Sequence, residues 1–214
     1  MVITPYNTPP AAIRRQPYRQ LGRAKHDFYP TPPEATRALL SVEQFSGSIW
    51  ECACGDGAIA TELKRAGYSV MATDLIYRGY GAGGTDFLKQ SKPLGVNIIT
   101  NPPYGFGLAD KFAMHALSLT AKTGGSVAML INLASLCHPS RHGWYLQHPP
   151  SAIYGLDELV CWPHGDPKFA SSKTASHRYC WLVWRPGHSG RPTFWWLSTG
   201  EFRDATESNP TIFN

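Results

Sequence analysis

The tetrapeptide Asn101-Pro102-Pro103-Tyr104 carries the residue types that most directly imply chemistry. An exocyclic amine on an aromatic ring is a poor nucleophile, because its lone pair is delocalised into the ring. Two acceptors aimed at its two hydrogens favour a pyramidal nitrogen with a localised lone pair. The Asn101 side-chain oxygen supplies one acceptor and the Pro102 carbonyl the other. Proline has no N–H and a fixed φ, so its carbonyl stays aimed. Tyr104 offers an aromatic face on which a base can stack. Asn101, Pro102, Pro103 and Tyr104 are therefore the candidate catalytic residues. The competing reading is a plain turn, since Asn and Pro punctuate chains. A position directly after an apolar strand, in a chain with a matching ligand-binding half, favours the chemistry.

That second half is Gly55-x-Gly57-x-x-Ala60, a glycine fingerprint between a strand and a helix. Glycine is needed where backbone and ligand approach closely. Asp74 follows about twenty residues on, where an acid binds ribose hydroxyls. The pattern alone fits NAD as well as S-adenosyl-L-methionine. Glu51, in the strand before the turn, shifts the balance: a carboxylate there repels a pyrophosphate but suits an ammonium and a sulfonium. Asp86 is placed to accept from an adenine amino group, with an ordinary turn cap as the competing reading. Cys52, Leu75 and Phe87 flank these positions and join the cofactor-binding candidates, as does Asn101.

The elements needed to position these residues are legible. Thr31-Pro32-Pro33-Glu34 has the form of a capping box and predicts a helix to about Gln44. Strands are expected at 48–53, 69–73, 96–100 and 125–132, with helices at 58–66, 108–119 and 138–147. Late strands are expected at 159–162 and, more strongly, at 179–184. Apolar strands alternating with helices predict a Rossmann-like, doubly wound α/β fold with a mostly parallel sheet and a late antiparallel strand. Ligands of such sheets lie beyond the carboxyl ends of the strands, where Gly55, Asp74 and Asn101 fall.

The chain has 214 residues and a net charge of +5. Arg14, Arg15, Arg19, Arg23 and Lys25 lie within residues 1–26, which hold no acid. The rest of the chain has fifteen basic and fifteen acidic residues, so the surplus sits on an arm able to contact phosphates or to remain a bare basic tail. Three parts are expected: the arm at 1–26, a catalytic domain at 27–186 and an extension at 187–214. Five cysteines without C-x-x-C spacing argue for buried thiols rather than disulfides or zinc. His138 and His142 have helical spacing but no further ligand nearby, so no metal is expected. Trp181 and Trp184 read as core; Trp195 and Trp196 either pack on the domain or cover a partner. With neither an apolar spanning run nor a signal peptide, the cytoplasm is the expected location and no membrane partner is expected.

Together these segments resemble the class I methyltransferases of the N6-adenine DNA type, most closely the small adenine methyltransferase-like proteins of phages and prophages. The resemblance runs from about Asp27 to Trp184. It is carried by Asp27-Phe28-Tyr29-Pro30-Thr31-Pro32, Glu51-x-x-x-Gly55-x-Gly57, Asp74, Asp86-Phe87, Asn101-Pro102-Pro103-Tyr104, Pro167-Lys168-Phe169 and Tyr179-Cys180-Trp181-Leu182-Val183-Trp184. It implies S-adenosyl-L-methionine as cofactor, held partly by Tyr29, Pro30 and Thr31, and DNA as partner. It also implies a loop at 166–176 near the target base, with Lys168, Phe169 and Lys173 as nucleic-acid contacts. Family members often have Arg-Pro-x-Phe where this chain has Asp166-Pro167-Lys168-Phe169, which removes a phosphate contact. Cytosine C5 chemistry needs a cysteine nucleophile, usually after proline, and no Pro-Cys pair occurs. Amines of RNA, or a protein glutamine amide, need the same two acceptors and are the alternative substrates. An NAD-dependent oxidoreductase leaves Glu51 and Asn101–Tyr104 without a task, and a non-catalytic nucleic-acid-binding protein ranks below all of these.

Overall fold

A computed structural model describes residues 28–157, 159, 161 and 178–204. Seven strands form one sheet: β1 (Ile49–Glu51), β2 (Val70–Ala72), β3 (Asn97–Thr100), β4 (Val127–Asn132), β5 (Ala152–Leu156), β6 (Tyr179–Trp184) and β7 (Thr193–Leu197). Their order is β2-β1-β3-β4-β6-β5-β7. The pairs β1–β2, β1–β3, β3–β4 and β5–β7 are parallel, and β6 is antiparallel to both β4 and β5. Among the described residues four α-helices accompany them: α1 (Pro33–Val42), α2 (Ala58–Arg65), α3 (Leu108–Thr120) and α4 (His142–Gln147).

The central strands are apolar in their interiors, with polar residues such as Glu51, Asn97 and Thr100 at their ends, because both sheet faces are covered. Successive residues feed opposite cores. Ile49, Ile99, Ala128, Leu130, Trp181 and Val183 pack with α1 and α2 residues such as Leu39 and Leu63. Trp50, Ile98, Val127, Met129, Cys180, Leu182 and Trp184 pack with α3 residues such as Phe112 and Ala116. The Trp181 indole N–H donates to the Ala35 carbonyl at 2.9 Å, so burying it strands no polar group. Arg37 of α1 reaches Glu62 of α2 at 2.7 Å and ties the two helices together.

Two expectations need correction. Thr31 does not cap α1: the N-cap is Pro32 and no side chain caps the helix. Leu159 and Cys161 lie in no strand. The strand that pairs with β6 is instead β5 at 152–156, whose internal Gly155 weakens its signature. Trp195 and Trp196 belong to β7, a seventh strand added beside β5.

Tight approach of the β3–β4 edge explains Gly125. A Cβ built there would lie 1.8 Å from the Val96 carbonyl oxygen. Gly125→Ala must therefore displace backbone, and a destabilisation of about 3 kcal/mol is expected. Urea unfolding checks this, and an unchanged midpoint would contradict it.

Candidate active site

The chain runs from β1 through α2 to β2 on one side, then places β3 on the other side of β1. The carboxyl ends of β1 and β3 therefore flank the point where winding reverses, the ligand position of open α/β sheets. Glu51 ends β1 and Thr100 ends β3. The Thr100 hydroxyl donates to Glu51 Oε1 at 2.6 Å, and Glu51 is only 1% exposed. Burial pushes its carboxyl from 4.5 up to about 8, opposed by the bonds from Thr100 and the Ala53 backbone, while Asp74 and Asp56 push it further up.

The glycine turn follows Glu51. Gly55 has φ 56°, and a Cβ there would meet the Phe28 ring at 2.7 Å. Gly57, at φ 90°, is the left-handed N-cap of α2, with the Tyr80 ring against its Cα. Both positions need glycine for conformation and for space. Asp74 braces the turn: its Oδ2 accepts from the Gly55 N–H at 2.8 Å, and its Oδ1 from the Ile76 N–H at 2.8 Å and Arg78 at 3.0 Å. Arg78 also lies over the Phe28 ring, 4.5 Å from its centroid. Asp86 caps the short 3-10 turn Phe87–Lys89 through the Leu88 N–H at 3.1 Å, so the cap reading holds beside any ligand role.

Beyond β3, Asn101 gives both hydrogens of its amide to the segment before α1. Its Nδ2 donates to Thr31 Oγ1 at 3.0 Å and to the Tyr29 carbonyl at 3.3 Å. Its Oδ1 accepts from the Tyr104 hydroxyl at 2.6 Å, and that hydroxyl also lies 3.0 Å from the Leu130 carbonyl. Thus Tyr104 is turned inward onto the acceptor expected for the target amine.

One cavity of about 430 Å³ joins the two halves. Tyr29, Pro30, Thr31, Glu51, Cys52, Gly55, Asp74, Leu75, Asp86, Phe87, Asn101 and Pro103 all line it. Gly57, Pro102 and Tyr104 are not among its lining residues. Arg14, Arg15, Arg19, Arg23, Lys25, Lys168, Phe169 and Lys173 lie outside the described residues. Sequence reasoning passed over Phe28 and Arg78 as site residues; Arg78, four residues after Asp74 in a glycine-rich loop, was the available signal. The size suits a small-molecule site. Its polar groups fit a ligand with a cationic end and hydroxyls: a buried acid, a braced second acid and close backbone at Gly55.

No family model matches the sequence, and no curated protein matches it either. Solved structures do match. One is a Listeria monocytogenes protein assigned as a class I S-adenosylmethionine-dependent methyltransferase, with TM-score 0.55 and 16% identity over 85% of this chain and 68% of that one. The fold is that of the class I methyltransferases. The M protein of the type I restriction enzyme EcoKI matches with TM-score 0.53 and 14% identity over 77% of this chain, which spans 45% of that subunit. A Pyrococcus horikoshii protein assigned as an RNA methyltransferase matches with TM-score 0.55 and 11% identity over 75% of this chain and 87% of that one. In this methyltransferase fold β7 lies at the sheet edge, beyond β5.

Burial pushes the Cys54 thiol up to about 12 and the Cys52 thiol upward as well, so neither is a thiolate nucleophile at neutral pH. Among the described residues, no group of three His, Cys, Asp or Glu could hold a metal, and no helix is long and apolar enough to cross a membrane.

Because its folded pKa is raised, Glu51 contributes stability that is fully present below 4.5 and lost as pH rises through about 8. The ligand-free protein should therefore weaken between about pH 5 and about pH 9, and Glu51→Gln should flatten that slope. Urea midpoints across this range test it. An equally steep slope in the variant would show that another group is responsible.

Proposed function

We propose that this protein is an S-adenosyl-L-methionine-dependent methyltransferase acting on the N6 amine of adenine in DNA. The observation that carries the reading is the single cavity shared by the Gly55 turn and by Asn101 and Pro103. When bound, the cofactor supplies an electrophilic methyl group on a sulfonium.

The chain's residues do the rest. Glu51 receives the cationic end of the ligand and yields its proton as the cation arrives. Asp74 receives the ribose hydroxyls through lone pairs its present partners leave unused. Asp86 meets the adenine of the cofactor. Asn101 Oδ1 and the Pro102 carbonyl accept the target amine's two hydrogens and expose its lone pair. The Tyr104 hydroxyl gives up Asn101 Oδ1 as the base enters, and its ring then stacks on the base. Catalysis is positioning and electrostatics, with no covalent enzyme intermediate. In a duplex the base must leave the stack to reach this cavity.

The likeness to the M protein of a restriction enzyme and the basic residues 1–26 support DNA. The cytoplasm remains the location this reading proposes, with residues 1–26 as a separate arm and the segment after 186 joined to the catalytic sheet through β7. RNA is the second reading, favoured by the likeness to an RNA methyltransferase.

Isothermal titration should give binding of S-adenosyl-L-methionine and none of NAD. Binding of NAD alone would overturn the reading. Asn101→Ala is expected to lower methyl transfer by about a hundredfold or more while cofactor affinity stays within about twofold. Near-normal transfer by that variant would refute the two-acceptor account.

A further inference from the structure

A carboxamide has two orientations of nearly equal shape that exchange oxygen and NH2. For Asn101 only one of them can serve an amine substrate. With the oxygen turned to the target it accepts an amine hydrogen; inverted, it points its own hydrogens at the amine's hydrogens. The orientation of this side chain is therefore a catalytic requirement in its own right.

The surroundings decide it. The Tyr29 carbonyl only accepts, and it lies 3.3 Å from Nδ2. Thr31 Oγ1 lies 3.0 Å from the same nitrogen, on a residue that is 4% exposed. Between them they take both amide hydrogens and leave Oδ1 facing the other way, where the Tyr104 hydroxyl donates to it at 2.6 Å. Thr31 makes no capping bond to α1, so its hydroxyl is not committed to the helix that follows it.

We propose that the 29–31 turn is an orientation clamp for Asn101, and that Thr31 is a positioning residue for methyl transfer. This rests on the amine-methylation reading above and changes the role of Thr31, which otherwise reads as a cofactor contact alone. The clamp also joins the two halves of the site. A turn that lines the cofactor cavity sets the sense of the amide that receives the target.

The test uses the full-length protein, Thr31→Val, which keeps the shape and removes the oxygen, and Thr31→Ser, which keeps the oxygen. Thr31→Val should lower kcat about tenfold, the effect of losing one hydrogen bond in the transition state, with any change in cofactor Kd smaller than the change in kcat. Thr31→Ser should restore kcat to within about threefold of the parent. In NMR spectra the two Asn101 side-chain amide protons, identified by their loss in Asn101→Asp, should be protected from solvent exchange in the parent and lose protection in Thr31→Val. Three results overturn the clamp: rapid exchange of both protons in the parent, unchanged kcat with weakened cofactor binding in Thr31→Val, or equal impairment of the Ser and Val variants. Should the parent methylate no amine at all, the functional reading fails, while the exchange measurement still decides the clamp.

Discussion

A buried hydrogen bond from Thr100 to Glu51 joins the carboxyl ends of β1 and β3, and the rest of the site is arranged around it. These strands are neighbours, about 4.8 Å apart, at the place where the sheet reverses its winding. Anything that follows β1 and anything that follows β3 must therefore open into the same space. The glycine turn and the Asn101 segment do so. Strand order and this one cross-strand bond bring two chemically different halves, separated by nearly fifty residues, into one cleft.

The same constraint explains the electrostatics. Glu51 is buried beside Asp74, with Asp56 at the exposed rim of the pocket, and Arg78 is the cation that pairs with Asp74 among the described residues. Holding another full negative charge there is unfavourable, so Glu51 keeps its proton. A cationic ligand reverses the balance, which makes the pocket selective for positive charge without leaving an uncompensated carboxylate when no ligand is bound. A pyrophosphate would meet Arg78, the cation among the described lining residues, only where Asp74 already pairs with it. This is the physical ground for preferring a sulfonium and ammonium ligand to a dinucleotide.

Local features were the ones legible in the sequence. β1, the glycine turn, α2, β2 and Asp74 form one continuous stretch whose spacing carries its own meaning, and Asn101-Pro102-Pro103-Tyr104 sits directly after an apolar strand. The apolar runs that form β4 and β6 were readable for the same reason. What escaped depends on partners distant in sequence. Thr31 looks like a helix cap until β3 brings Asn101 beside it. Tyr104 reads as a stacking face, but its hydroxyl finds Asn101 and Leu130 once the strands are in place. β5 is short and contains Gly155, across which Phe194 of β7 packs. β7 then leaves Trp195 and Trp196 at 63% and 73% exposed, so a hydrophobic pattern gave no hint of an added edge strand.

The account's central claim is that the shared cleft delivers a methyl group to an adenine amine. The direct measurement is to incubate the protein with S-adenosyl-L-methionine labelled in its methyl group and unmethylated DNA, RNA or a glutamine-containing peptide. Each product is then hydrolysed, and the labelled component is identified. The account predicts label in N6-methyladenine from the DNA. Label confined to the peptide, or to a ring carbon of cytosine, would contradict it.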